Sequence, residues 1–207
     1  MQRTVKTLVC AFAVCLFTAA LGARAAGAED QPATPPAQPQ LSAEAQAEMD
    51  AWMKIGSPGK EHEQLAAAVG DWKASGKSYM GPEATAFEAT SHRQLTLGGR
   101  VLEEHFKGEM MGMAFEGHGL SGYDNARKQW WTTWNDSMST GVMLAYGNWD
   151  DAAKGIVFNG ELADPQGKPL KVRLVTRRPG AGTEQFEYWE ERGGKLTKTM
   201  EMTLTKQ

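Results

Sequence analysis

The sequence predicts an all-β molecule, an antiparallel up-and-down barrel of about ten strands with a short N-terminal capping helix. Three observations carry this. From Trp72 to the C-terminus, apolar and polar residues alternate with period two in short runs. Turn signals separate the runs and no helix of useful length interrupts them, which argues against a βαβ alternation. The triplet Gly70-Asp71-Trp72 marks the change from helical to strand patterning, as expected where a helical plug meets the first strand of a barrel.

The first 28 residues read as a signal peptide. Arg3 and Lys6 form a positive start, Leu8 to Leu21 is a short apolar run, and Ala23-Arg24-Ala25 and Ala26-Gly27-Ala28 each fit a small-residue cleavage site. The run is shorter than the ~18 to 20 apolar residues that span a bilayer, so no stable membrane insertion is expected once the leader is cleaved. The expected destination is the periplasm or the extracellular space. Both cysteines, Cys10 and Cys15, fall inside the leader, so disulfide and thiol chemistry are not expected in the mature chain. Removing Arg3, Lys6 and Arg24 from 22 basic residues leaves 19 against 25 acidic ones, moving the net charge from −3 to −6. That acidity makes nucleic acid and anionic membrane surfaces poor partners.

Residues 29–57 read as a proline-rich tether followed by a short helix. Glu29 to Gln40 holds four prolines in twelve residues and no large apolar side chain. Ser42 is placed to cap a helix in which Ala45, Met49, Trp52 and Met53 share one face, and Gly56-Ser57-Pro58-Gly59 stops it. The barrel domain then covers residues 58–207. Ser57 as N-cap and Pro58 at the first helical position predict a second short helix with Leu65, Ala68 and Val69 on its apolar side and Gly70 at its end.

The predicted strands are Trp72 to Tyr79, Phe87 to Leu97, Val101 to Glu109, Ala114 to Tyr123, Gln129 to Asn135, Val142 to Trp149, Ile156 to Leu162, Leu170 to Arg177, Glu184 to Glu191 and Leu196 to Thr205. Their separators include Gly98-Gly99, Met111-Gly112, Asp124-Asn125, Asp164-Pro165-Gln166-Gly167 and Gly193-Gly194. A turn centred on Met111-Gly112 sets Lys107 opposite Glu116, Phe106 opposite Gly117 and His105 opposite His118. A turn at Gly193-Gly194 sets Trp189 opposite Lys198, Glu187 opposite Met200 and Phe186 opposite Glu201.

No sequence signature specifies a reaction. The chain has no Gly-rich phosphate loop opening a long helix, no G-x-S-x-G elbow, no H-E-x-x-H and no cysteine nucleophile, so no catalytic residue is assigned. His62, His92, His105 and His118 show no metal spacing, and the His105 and His118 pair supplies only two ligands, so no metal site is expected. His62, between Glu61 and Glu63, reads as a helix-surface or lid residue, and nothing supports an axial haem ligand. Trp130 and Trp134 point to one face of their strand and Trp131 to the other. Met110, Met111 and Met113 crowd one turn as an apolar lip.

Several longer segments share a specific resemblance. They include Pro58-Gly59-Lys60-Glu61-His62-Glu63-Gln64-Leu65, Val69-Gly70-Asp71-Trp72, Leu97-Gly98-Gly99-Arg100 and Gly108-Glu109-Met110-Met111-Gly112-Met113. Others are Gly119-Leu120-Ser121-Gly122-Tyr123-Asp124-Asn125, Thr133-Trp134-Asn135-Asp136-Ser137-Met138-Ser139-Thr140-Gly141, Val172-Arg173, Val175-Thr176-Arg177 and Lys198-Thr199-Met200-Glu201. On these, the chain from about Gly59 to Lys206 resembles the bacterial domain-of-unknown-function family 1579. The resemblance implies a calycin-like barrel, a relative in shape of lipocalins and fatty-acid-binding proteins, with no catalytic residue to carry over. Gly70-Asp71-Trp72 also resembles the lipocalin G-x-W signature. The proline-rich tether and His118 depart from the usual member.

The expected function is therefore an exported barrel that binds a small hydrophobic or amphipathic molecule. Strand alternation and the family-like segments nominate Trp134, Asp136, Arg173, Tyr188, Met200 and Glu201 as its ligand-binding residues. The alternatives are a barrel enzyme acting on a small molecule, with haem as one conceivable cofactor, and an envelope interaction protein. The sequence specifies no cofactor and no oligomeric state.

Overall fold

The computed structural model describes residues 41–207. Residues 1–40, which include the expected signal peptide and the expected proline-rich tether, lie outside the described residues. Two helices, α1 (Ala43–Gly56) and α2 (Lys60–Ala66), precede ten strands. These are β1 (Gly70–Ser78), β2 (Thr85–Thr96), β3 (Val101–Met110), β4 (Met113–Asp124), β5 (Gln129–Asp136), β6 (Met143–Asp150), β7 (Gly155–Ala163), β8 (Pro169–Gly180), β9 (Thr183–Arg192) and β10 (Lys195–Lys206). Each strand pairs antiparallel with its chain neighbours, and β1 pairs with β10 to close the barrel. All ten expected strands are present, with ends moved by a few residues. Among the described residues no helix is long and apolar enough to cross a membrane.

Two side-chain clusters fill the interior. One joins Leu65 and Ala68 to Leu102, Trp130, Met143, Phe158, Val172 and Leu174. The other contains Trp72, Ala74, Ala89, Phe106, Phe115 and Leu204. Trp134 and Phe186 pack against both. Period-two burial follows: Ala74, Ala89 and Leu204 face in, while Lys73, Thr90 and Thr203 between them face water.

The helices differ from expectation in two ways. Ser42 caps α1 as predicted, accepting from Ala45 N–H, but α1 buries no residue, and Met49, Trp52 and Met53 stand exposed. Its C-terminal end is tied to the barrel by backbone oxygens alone: Arg100 Nε donates to Gly56 O, and Asn125 Nδ2 donates to Ile55 O and Ser57 O. The second helix begins at Lys60 with Gly59 as N-cap, not at Ser57 and Pro58. Ser57 is already engaged at the end of α1, where its hydroxyl donates to Met53 O at 2.7 Å. Leu65 and His62 of α2 are buried against the barrel end, so His62 is a plug residue and not a surface one.

The β3–β4 hairpin has the predicted register, with Lys107 opposite Glu116 and His105 opposite His118. Met111 and Gly112 form its turn at φ 54° and 76°, the left-handed pair that a two-residue hairpin requires. The β9–β10 hairpin begins as predicted, with Trp189 opposite Lys198, and then shifts. An irregularity between Lys198 and Met200 sets Tyr188 opposite Met200, Glu187 opposite Glu201 and Phe186 opposite Met202. One extra residue absorbed by β10 turns Met200, Met202 and Leu204 inward, which a regular ladder from Gly193-Gly194 would not do.

Candidate functional site

The two ends of the barrel are chemically different. At the α2 end, Trp72 Nε1 donates to Ala68 O at 2.9 Å, which fixes the plug to the first strand. Arg93 lies over the Trp72 ring, 5.2 Å from its centroid. Its guanidinium is only 5 % exposed and pairs with Glu184 at 3.0 Å and Glu104 at 2.9 Å. Arg178 pairs with the other oxygen of Glu184 at 2.9 Å and donates to Gln64 O of α2 at 3.1 Å. Burial opposes the charge on both Arg93 and Glu184. Their mutual attraction, helped by Glu104 and Arg178, outweighs it, so Arg93 is raised and Glu184 lowered from their ordinary pKa values. This end is sealed by ion pairs and packing.

The opposite mouth holds four of the six nominated residues. Trp134 faces inward from β5, and its Nε1 donates to Asp136 Oδ2 at 3.1 Å, two residues on along the same face. Its indole lies against Gly117 and Gly119 of β4, where a Cβ at Gly117 would collide with the ring. Tyr188 packs against the interior cluster, and Met200 is its register partner on β10. Burial raises the Tyr188 phenol above its ordinary pKa, and the carboxylates of Glu190 and Asp136 push it further, against Arg192. Glu190 is itself buried and receives Arg192 Nε at 2.7 Å. Thus the mouth presents indole, phenol and thioether surface with two carboxylates among it. Met111 and Met113 stand exposed at the β3–β4 turn on this same end.

The remaining two nominated residues do not join that group. Arg173 lies between Val172 and Leu174, both in the interior cluster, and so projects from the outer wall. There it borders a concavity of about 230 Å³ with Asn159, Lys171, Glu191 and Leu196, and its Nε is buried without a partner. Glu201 lies between Met200 and Met202 and likewise faces out. It accepts from Lys198 Nζ at 2.7 Å and from the Tyr79 hydroxyl at 2.5 Å, and those two bonds hold its carboxyl below the usual range. It borders an open groove of about 670 Å³ on the outer wall with Lys77, Glu88, Arg177 and Glu187. The inward face of β10 could not be assigned from a regular hairpin, because the bulge reverses its phase.

Sequence reasoning missed Glu190 as an inward group and missed Arg93 altogether. Both stand at inward positions by alternation, Arg93 two residues from Ser91 and Glu190 two from Tyr188, so the signal was period two itself. Of the four histidines, only His62 packs toward the interior, with its ring edge-on to Tyr123 at 6.2 Å. His92, His105 and His118 stand opposite one another across β2, β3 and β4 and face outward.

Comparison with known proteins gives the following. A family model described as protein of unknown function (DUF1579) matches residues 57–206. No curated protein matches the chain. Among solved structures, the crystal structure of Rv2717c from M. tuberculosis is similar, with a TM-score of 0.56 and 11 % identity, over 73 % of this chain and 99 % of that one. A redesigned beta barrel overlaps 69 % of this chain and 94 % of its own at 13 % identity and a TM-score of 0.38. At this identity the likeness to Rv2717c concerns the fold alone.

Proposed function

The chain belongs to the DUF1579 family, and from the chemistry of the two barrel ends we propose that it is an exported barrel that binds a small amphipathic molecule at the end opposite α2. The observation that carries this reading is the asymmetry of the barrel. One end is closed by Leu65, Ala68 and the Arg93 ion pairs, while the other keeps Trp134, Tyr188 and Met200 only partly buried around Asp136 and Glu190. Half-buried rings and thioethers gain apolar contact from a ligand, and the carboxylates orient its polar end. The two clusters fill the interior, so a ligand at this end lies on the rim residues and its apolar part is short. Arg192 already neutralises Glu190, whereas Asp136 accepts only from the Trp134 indole and the Met138 N–H, so Asp136 is the group that favours a ligand donating hydrogen bonds or carrying positive charge.

Export rests on the leader pattern of residues 1–28. The test is to incubate purified mature protein with an envelope lipid extract and identify retained molecules by mass spectrometry, alongside tryptophan quenching by fatty acids and by alkylamines. Retention of an amphipathic species, with quenching lost in Trp134→Ala, supports the reading. Nothing retained and no quenching by either probe overturns it. A reporter enzyme fused to residues 1–28 should be active only outside the cytoplasm.

A further inference from the structure

The outer wall carries a row of imidazoles that the mouth does not use. In register across β1 to β5 stand Asp71, His92, His105, His118 and Asn135. His92 is already engaged, with its Nδ1 2.7 Å from Asp71 Oδ1. His105 and His118 face each other with ring centroids 4.7 Å apart. Glu103, two residues before His105 and therefore on the same face, brings its Oε1 to 2.9 Å from His118 Nε2 and 3.6 Å from His105 Nε2. One ligand atom from each of the three lies within 4.8 Å of the others.

We propose that Glu103, His105 and His118 bind one divalent cation of borderline softness, Zn2+ or Cu2+, on the outer face of the β3–β4 hairpin. A tetrahedral ion with bonds of about 2.0 to 2.1 Å sets its ligand atoms roughly 3.3 Å apart. The two carboxylate-to-imidazole distances straddle that value. With both rings neutral, two nitrogen lone pairs and a carboxylate oxygen converge on one point, an electron-rich arrangement that a cation neutralises. The carboxylate is held for this role: Gln94 Nε2 donates to Glu103 Oε2 at 2.8 Å, which leaves Oε1 turned to the imidazoles. Such an outer-shell bond fixes ligand orientation in metal sites. The scaffold adds rigidity, since all four side chains project from adjacent paired strands. Three protein ligands leave a coordination position for water or for a side chain of another molecule.

The site lies on the opposite face of the wall from the mouth, so it stands or falls independently of ligand binding there. The experiment is titration of the untagged mature chain, from residue 29 onward and therefore without Cys10 and Cys15, with Zn2+ against a chromophoric chelator, and with Co2+ to read tetrahedral d–d absorption. Expected are one equivalent bound, loss of the absorption in His105→Gln and His118→Gln, and affinity about tenfold weaker in Gln94→Ala. His92→Gln should bind as the wild type does. Absence of saturable uptake by the wild type overturns the proposal, and so does equal uptake by a His105→Gln/His118→Gln variant whose far-ultraviolet circular dichroism is native.

Discussion

Arg93 shows how one side chain can join the plug end of the barrel into a unit. It touches the Trp72 ring, Glu104 and Glu184, and Glu184 in turn holds Arg178, which reaches the backbone of α2. Arg93→Met keeps the stem packed and leaves Glu184 buried with half its compensation. Loss of one partner of a buried ion pair costs about 3 to 5 kcal/mol, and urea denaturation should read a loss of that size. At the mouth the comparable residue is Gly117, whose missing Cβ leaves room for the Trp134 indole. Gly117→Ala should force the ring aside and destabilise by about 1 to 3 kcal/mol. Its second readout is a shifted tryptophan emission. These residues also mark the limit of reading a sequence. Trp134 stood out by type, whereas Arg93 was one of many charged strand residues, and only a closed barrel shows that its alternating position is interior.

At the scale of elements, the two helices should behave oppositely on removal. Deleting residues 41–56 removes a helix that buries nothing, and the thermal midpoint should hardly move. Leu65→Ala in α2 removes a core side chain and should cost about 2 to 5 kcal/mol. A large loss from the deletion, or none from the substitution, would reverse the assignment of α2 as the plug. The strands were legible because each carries its own turn signal and period-two pattern, and the β3–β4 register followed from one two-residue turn. The β9–β10 register was legible only as far as Lys198. A bulge has no composition of its own here, being fixed by the need to turn Met200, Met202 and Leu204 inward against β9 and β1. Met200 and Glu201 were nominated together although neighbours on a strand face opposite ways, and the phase change decides between them by turning Met200 inward and Glu201 outward. The exposure of the apolar side of α1 was equally invisible, since spacing says that residues share a face and not what covers it.

For the whole molecule, the ion pairs set a pH dependence with a definite sign. Glu184 is lowered despite burial because Arg93 and Arg178 face it, and Glu187 is lowered despite burial by Arg177, Trp189 and Lys198. A carboxyl depressed in the fold contributes stability above its unfolded value of about 4.3, and that contribution is lost as pH falls through the lower folded value. Thermal midpoints should be flat near neutrality and fall below about pH 4. The fall should be shallower in Glu184→Gln, which starts lower but has one fewer carboxyl to protonate. A stability that rises on acidification would contradict the sign.

The closing seam between β1 and β10 has a kinetic corollary. Trp72 stands opposite Lys206, and Gln207 N–H donates to Asp71 O at 2.9 Å, so the residue that follows β10 touches the first strand. While the chain is being synthesised, β1 and the newest strand both offer unpaired edges, and neither is covered until β10 has been made. Loop closure of that span precedes any reward from the seam, which places completion late and makes it slow relative to the local hairpins. A chain stopped after Gly194 would lack the whole of β10, leaving β9 and β1 open to pairing with other copies, and should sediment as aggregates instead of as a smaller barrel.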